Sequence, residues 1–92
     1  HAMTLKEFVQ LEEDQQGFYL MGVLDTEVID ASYGAERSEC VQHWGLKGAY
    51  SYLADWYNRA PNDEDNLSFN VAFLVISGIS ETCGSATKND DE

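Results

Sequence analysis

Hydrophobic residues recur at helical intervals along this chain, in four stretches separated by polar segments. The first stretch begins at Thr4, where Glu7 follows at the spacing of a capping box. The acids Glu12, Glu13 and Asp14 oppose the helix dipole at its far end, so we expect this helix to end early or to continue into the next. Its apolar positions are Leu5, Phe8, Val9 and Leu11.

The second stretch, from Gln15 to Tyr33, predicts a helix with a broad apolar stripe. The stripe consists of Phe18, Leu20, Met21, Leu24, Val28, Ile29 and Tyr33, with Asp25, Glu27 and Asp30 mostly opposite. Gly22 interrupts it at a cost of about 1 kcal/mol relative to alanine, so we expect another backbone to approach closely there. Gly34 is expected to cap the end of this helix.

The third stretch, from Gly45 to Ala60, has the clearest helical period, and Pro61 is expected to end it. Its stripe is Leu46, Ala49, Tyr50, Leu53, Trp56 and Tyr57. The fourth stretch, from Leu67 to Ile79, is apolar nearly all round, so its period alone does not distinguish a helix from a strand. Its length and the preceding N-cap residues favour a central helix, while its β-branched residues leave a strand open.

Two polar segments lie between these stretches. Ala35 to Trp44 is predicted to be a loop, and Asn62 to Asn66 an acidic turn. Carboxylates at such a turn satisfy free N–H groups at the start of a helix. A sharper interpretation is that this turn projects into the cleft of a binding partner.

These elements predict an all-α fold, a small bundle of about four helices in one domain over residues 4–84. Residues 1–3 are interpreted as a cloning remnant and the start, and residues 85–92 as a mobile acidic tail without an apolar anchor. No run of 18 or more apolar residues occurs, so we expect no membrane-spanning segment.

The net charge of the chain bears on which kinds of molecule it could bind. The chain has 17 acids against 5 bases, a net charge of −12. This charge disfavours nucleic acid and anionic lipid as partners and favours a basic protein. A solvated acidic surface without a partner would have the same composition.

The two cysteines, Cys40 and Cys83, allow one disulfide. If they pair, they close a loop of roughly 40 residues, which stabilises the fold by about 3–4 kcal/mol in the chain-entropy model. Such a bridge requires an oxidising compartment, whereas two buried thiols would fit a cytosolic protein. Both alternatives remain open at this point.

Sequence motifs give no reason to expect an enzyme. The chain contains no GxSxG, no glycine-rich phosphate loop, no HExxH and no EF-hand pattern. His43 has no second histidine or cysteine in metal-ligand register, so we expect it to be an ordinary loop histidine. No metal or other cofactor is predicted.

One segment resembles a known family. Phe18 to Asp25 is similar to the Gly-Tyr-x-x-Gly-Val-Leu-Asp segment of periplasmic immunity proteins that neutralise peptidoglycan amidases delivered by type VI secretion. The features that follow in the same order are Cys40, Tyr52-Leu53, Pro61, the run Ala72-Phe73-Leu74, and Cys83. The chain departs from the family at Phe18, which replaces a glycine, and in lacking two further cysteines near Val9 and Gln16.

The resemblance implies a helical fold like that of periplasmic acid-stress chaperones, a homodimer, and a periplasmic location after removal of a signal peptide. The expected partner is a cognate peptidoglycan amidase effector, a papain-like cysteine enzyme whose catalytic cleft this chain would occlude. The toxin-binding candidates are Asn62, Asp63, Glu64, Asp65 and Asn66, followed by Glu36, Arg37 and Glu39. Alternatives are an acid-stress chaperone of the same fold and an acidic protein-binding adaptor.

Overall fold

The computed structural model describes residues 2–29 and 34–84 of this chain. Within those ranges it contains no strand, and its helices are α1 (Leu5–Val9), α2 (Glu13–Ile29), α3 (Ala35–Arg59), α4 (Glu64–Leu67) and α5 (Val71–Cys83). The predicted all-α bundle is therefore confirmed. The predicted acidic tail and the residues from Asp30 to Tyr33 lie outside the described residues.

The capping box at the start of the chain is confirmed. The Glu7 amide donates to the Thr4 hydroxyl over 3.2 Å, and the Thr4 amide donates to the Glu7 carboxylate over 3.0 Å. The helix ends at Val9, which leaves Leu5 and Phe8 buried and Val9 exposed. A helix of about one turn is marginal by itself, so its position depends on packing rather than on propensity.

Helix α3 lies between α2 and α5 and contributes the central layer of the core. The buried hydrophobic cluster draws residues from four of the helices. Its members are Leu5, Phe8, Leu20, Leu24, Val41, Ala49, Leu53, Val71, Leu74, Val75 and Ile79. The stripe predicted for the third stretch is confirmed, because each of its residues belongs to this cluster or packs against it.

The prediction of a loop from Ala35 to Trp44 is wrong, because these residues form the first part of α3. A kink separates them from the second part at Gly45, whose φ of 56° is accessible mainly to glycine. The segment has few apolar residues, so its helical pattern is weak. Burial of Val41 and the disulfide at Cys40 fix it against its neighbours.

Gly34 and Gly22 also differ from their predicted roles. Gly34 lies at the N-cap of α3. Gly22 is exposed, and a Cβ built there has no neighbour within 4 Å. The close contacts occur instead at Gly48 and Gly78, which both face the indole of Trp44. Gly78 thereby allows α5 to approach α3 closely.

The fourth stretch is a helix, as favoured, and it begins at Val71 rather than Leu67. Asn70 is its N-cap, and the Phe73 amide donates to the Asn70 side-chain oxygen over 3.0 Å. The backbone at Asn70 also pairs with Thr4 in an isolated antiparallel bridge. This bridge ties the start of the chain to the start of α5. No helix in residues 2–29 and 34–84 is long and apolar enough to cross a membrane.

Candidate functional site

The two cysteines form a disulfide, with a Cα–Cα distance of 5.7 Å. Cys40 lies in the first part of α3 and Cys83 at the end of α5, so the bridge joins two helices that also pack against each other. The alternative of two reduced thiols is thereby set aside for this structure. The bridge is a structural clamp beside the candidate contact residues Glu36 and Glu39.

Arg37 and Glu27 form a buried ion pair between α3 and α2. The Arg37 Nη2 donates to the Glu27 carboxylate over 3.1 Å, and Arg37 Nε donates to the Gly84 carbonyl over 2.9 Å. The two residues are 6% and 7% exposed. Sequence patterning placed Glu27 on the outer face of α2 and Arg37 among the candidate contacts. Because Arg37 is buried, its side chain has little surface with which to contact a partner. Its hydrogen bonds instead join α3 to α2 and to the end of α5.

The turn predicted over Asn62 to Asn66 ends at Asp63, because Glu64 to Asn66 belong to α4. We keep the name acidic turn for the segment from Asn62 to Asp65, which is exposed throughout. Asp63 is the N-cap of α4, and its side chain accepts from the Asp65 amide over 2.9 Å. This bond fixes the turn and leaves the carboxylates of Glu64 and Asp65 in solvent. Glu64 is also within 3.7 Å of Lys6, in an ion pair exposed on both sides. Such a pair adds little stability.

Asn66, the last residue of the predicted turn, is buried instead of exposed. Its amide nitrogen donates to the carbonyls of Trp56 over 2.9 Å and of Ala60 over 3.3 Å. These carbonyls lie at the end of α3, where helical partners are missing. Asn66 therefore holds the base of the acidic turn and does not form part of its outer surface.

The second candidate set, Glu36, Arg37 and Glu39, lies at the other end of α3. Glu36 and Glu39 are exposed along a shallow groove of about 500 Å³ beside the disulfide. His43, Trp44 and Thr82 also line this groove. The second part of α3 alone has 14 residues and is about 20 Å long. The structure therefore does not bring the two candidate sets together. Among the described residues, no group of three or more His, Cys, Asp or Glu side chains could hold a metal ion.

A small apolar cavity of about 200 Å³ lies between α1 and α3, with Tyr50 in its wall. Burial raises the pKa of the Tyr50 phenol above its ordinary value near 10, and the Glu13 carboxylate adds to this increase. Burial likewise raises the pKa of Tyr19. The Tyr50 hydroxyl stays protonated and donates to the Glu13 carbonyl over 3.3 Å, which joins α3 to the start of α2.

Two phenylalanines and an isoleucine at and just before the start of α5 are exposed, which the apolar pattern did not predict. Phe69, Phe73 and Ile76 are all exposed, and Phe73 keeps 59% of its surface in solvent. The stretch is apolar nearly all round, so its sequence favours a central helix and does not single out an exposed face. The residues at Val71, Leu74, Val75, Gly78 and Ile79 already form a complete inward stripe. That spacing is the signal that would have placed Phe73 and Ile76 outside.

Comparisons of this chain with models of protein families, with curated proteins and with solved structures find no match.

Proposed function

We propose that this chain is a periplasmic immunity protein that binds and inhibits a peptidoglycan amidase toxin delivered by type VI secretion. The proposal starts from the resemblance of Phe18 to Asp25 and of the residues that follow it. The structural observation that carries it is the exposed acidic turn from Asn62 to Asp65, held rigidly on a disulfide-clamped helical frame. A rigid turn binds a cleft without a large ordering cost.

The disulfide supports the location. Bridges of this kind persist in oxidising compartments such as the periplasm and are rare in the cytosol. Cys40 and Cys83 are both partly accessible, so a reducing environment would reach them. An inhibitor that meets its toxin in the periplasm gains from a clamp that keeps its helices fixed there.

Electrostatics supports an acidic inhibitor of a basic cleft. The net charge is −12, and Asp63, Glu64 and Asp65 concentrate three acids in one exposed turn. A complementary partner would be steered toward this turn, which increases the association rate more than it decreases dissociation. Glu36 and Glu39, at the far end of α3, are a second contact region for a large partner.

The outer face of α2 is the favoured surface for the proposed homodimer. Phe18, Met21 and Ile29 are exposed there, with Phe18 at 71% and Ile29 at 77%. Gly22 lies between them with open space beside it, so a second helix would fit closely. Sedimentation equilibrium of the native chain and of Phe18→Glu tests this. A native dimer that the substitution leaves intact would place the interface elsewhere.

The decisive experiment is a periplasmic rescue. A panel of type VI amidase toxins is directed to the periplasm of a test bacterium, with and without this chain fused to a signal peptide. We expect lysis to be blocked for one toxin and a stoichiometric complex to be recovered. No rescue across the panel, with the disulfide formed, would reject the proposal in favour of a chaperone of the same fold.

The role of the turn is tested by matched charge changes. Asp63→Asn, Glu64→Gln and Asp65→Asn together remove three charges while the cap at position 63 is kept. The control removes three other exposed charges by Glu12→Gln, Asp25→Asn and Asp55→Asn. We expect the turn variant to lose about tenfold or more in affinity, mostly in association rate, and the control to lose less than about threefold. Equal losses would contradict the assignment.

A further inference from the structure

The start of α5 presents an apolar surface that the core does not use. It consists of Phe69, Phe73 and Ile76, and we call it the α5 aromatic surface after its two phenylalanines. Phe73 and Ile76 are three residues apart and share one face of the helix, and Phe69 directly precedes the Asn70 cap. Large aromatic side chains left in solvent are enriched where proteins bind other proteins. The opposite face of α5 is filled by the core, so folding does not explain Phe73.

The end of this surface at Phe69 is held in place from several directions. The Leu5 amide donates to the Phe69 carbonyl and the Val71 amide donates to the Met3 carbonyl, each over 2.9 Å. The Phe69 ring packs edge-on against Trp56 at 5.1 Å, and the Arg59 guanidinium lies 4.3 Å from the Trp56 ring. Phe73 therefore stands on a helix whose start is fixed, so a partner that binds it would not have to order the backbone.

The charge beside the surface identifies the kind of occupant. Helix α4 directly precedes it and exposes Glu64 and Asp65, on a chain with a net charge of −12. A second copy would bring the same acids together, and an anionic membrane would also repel them. A protein with an apolar pocket bordered by lysine and arginine matches both the aromatic residues and the acids.

We propose that the α5 aromatic surface is the apolar anchor for the partner, with Phe73 entering a pocket of the toxin whose basic rim meets Glu64 and Asp65. This inference rests on the proposed function, and it adds the source of slow dissociation to the electrostatic steering by the turn. The acids govern how fast the complex forms, and Phe73 governs how long it lasts.

The test compares two substitutions of exposed apolar side chains. Phe73→Ala removes the proposed anchor, and Val9→Ala shortens an exposed side chain on α1 that belongs neither to this surface nor to the proposed dimer face. Binding to the amidase identified by the rescue is measured by surface plasmon resonance, with folding of both variants checked by circular dichroism. We expect Phe73→Ala to raise Kd about tenfold or more, mainly by faster dissociation, and Val9→Ala to change it less than about threefold.

The outcomes separate this inference from the proposed function. If the native chain neutralises and binds an amidase but Phe73→Ala binds within threefold of it, the anchor is wrong and the function stands. An equal loss in Val9→Ala, or a Phe73→Ala variant that dissociates a homodimer instead, would also overturn the anchor. If the native chain neutralises no amidase, the function and the anchor both fail.

Discussion

At the scale of single residues, Arg37 and Asn66 were predicted to contact a partner, and both are buried inside the fold. Arg37 and Asn66 are polar residues in polar segments, which makes them look exposed in the sequence. Each is buried because it satisfies groups that would otherwise lack partners: Arg37 pairs with Glu27, and Asn66 caps the end of α3. Buried polar groups of this kind are costly to remove one at a time.

The buried pair makes a prediction at this scale. Arg37→Met leaves the Glu27 carboxylate buried without its partner, so we expect a loss of about 3–5 kcal/mol in the free energy of unfolding. Lys6→Met, which removes the cation of the exposed pair with Glu64, should cost less than about 1 kcal/mol. Urea denaturation of both variants measures the difference. Similar losses would show that burial does not govern the pair.

The double variant Arg37→Met with Glu27→Leu is the control for this experiment. It removes both charges together and leaves apolar groups of similar size, so it should recover much of the lost stability. A double variant as unstable as Arg37→Met alone would assign the loss to packing or to the lost bond to the Gly84 carbonyl.

We expect alanine to have opposite effects on stability at two helical glycines, Gly48 and Gly22. A Cβ at Gly48 would lie 2.4 Å from Cδ1 of Trp44, close to the root of a large ring, so Gly48→Ala should destabilise by about 1–3 kcal/mol. A Cβ at Gly22 meets nothing, so Gly22→Ala should stabilise the monomer by up to about 1 kcal/mol. Thermal unfolding at low protein concentration compares them. A destabilising Gly22→Ala would contradict the open environment of that residue.

At the scale of elements, the disulfide determines how α3 and α5 are held. The first part of α3 has few apolar residues and is separated from the second part by the kink at Gly45. Its buried residues are Arg37 and Val41. The bridge from Cys40 therefore supplies a connection that hydrophobic burial supplies elsewhere in the bundle.

Removing the bridge should weaken the fold without abolishing its helices. The cysteines are 43 residues apart, which gives about 4 kcal/mol in the chain-entropy model. We expect the double variant Cys40→Ser with Cys83→Ser, and the native chain in dithiothreitol, to lose this amount in urea denaturation. The reductant should leave the double variant unchanged. A loss under about 1 kcal/mol would show that packing alone fixes the first part of α3.

At the scale of the whole molecule, charge acts on stability as well as on binding. With 17 acids and 5 bases, the folded chain repels itself. Added salt shortens the Debye length from about 30 Å at 0.01 M to about 10 Å at 0.1 M. We expect the free energy of unfolding to rise over this range, on the order of 1 kcal/mol.

A charge variant is the control for the salt effect. Glu12→Lys and Asp25→Lys change two exposed acids. They bring the net charge from −12 to −8, because each exchange adds two positive units. The variant should show a smaller rise with salt in urea denaturation. An equal rise would assign the salt effect to something other than self-repulsion.

The sequence by itself determined the helical class, the capping box at Thr4, the stop at Pro61 and the stripe of the third stretch, because local spacing and capping specify these features. The sequence also contains the two cysteines, and the structure decided that they form a disulfide. Only the tertiary structure decided which face of each helix is covered. Phe18 and Phe73 look like core residues in sequence, and Glu27 and Arg37 look like surface residues. Burial depends on which helices meet, and that information lies in contacts between residues far apart in the chain.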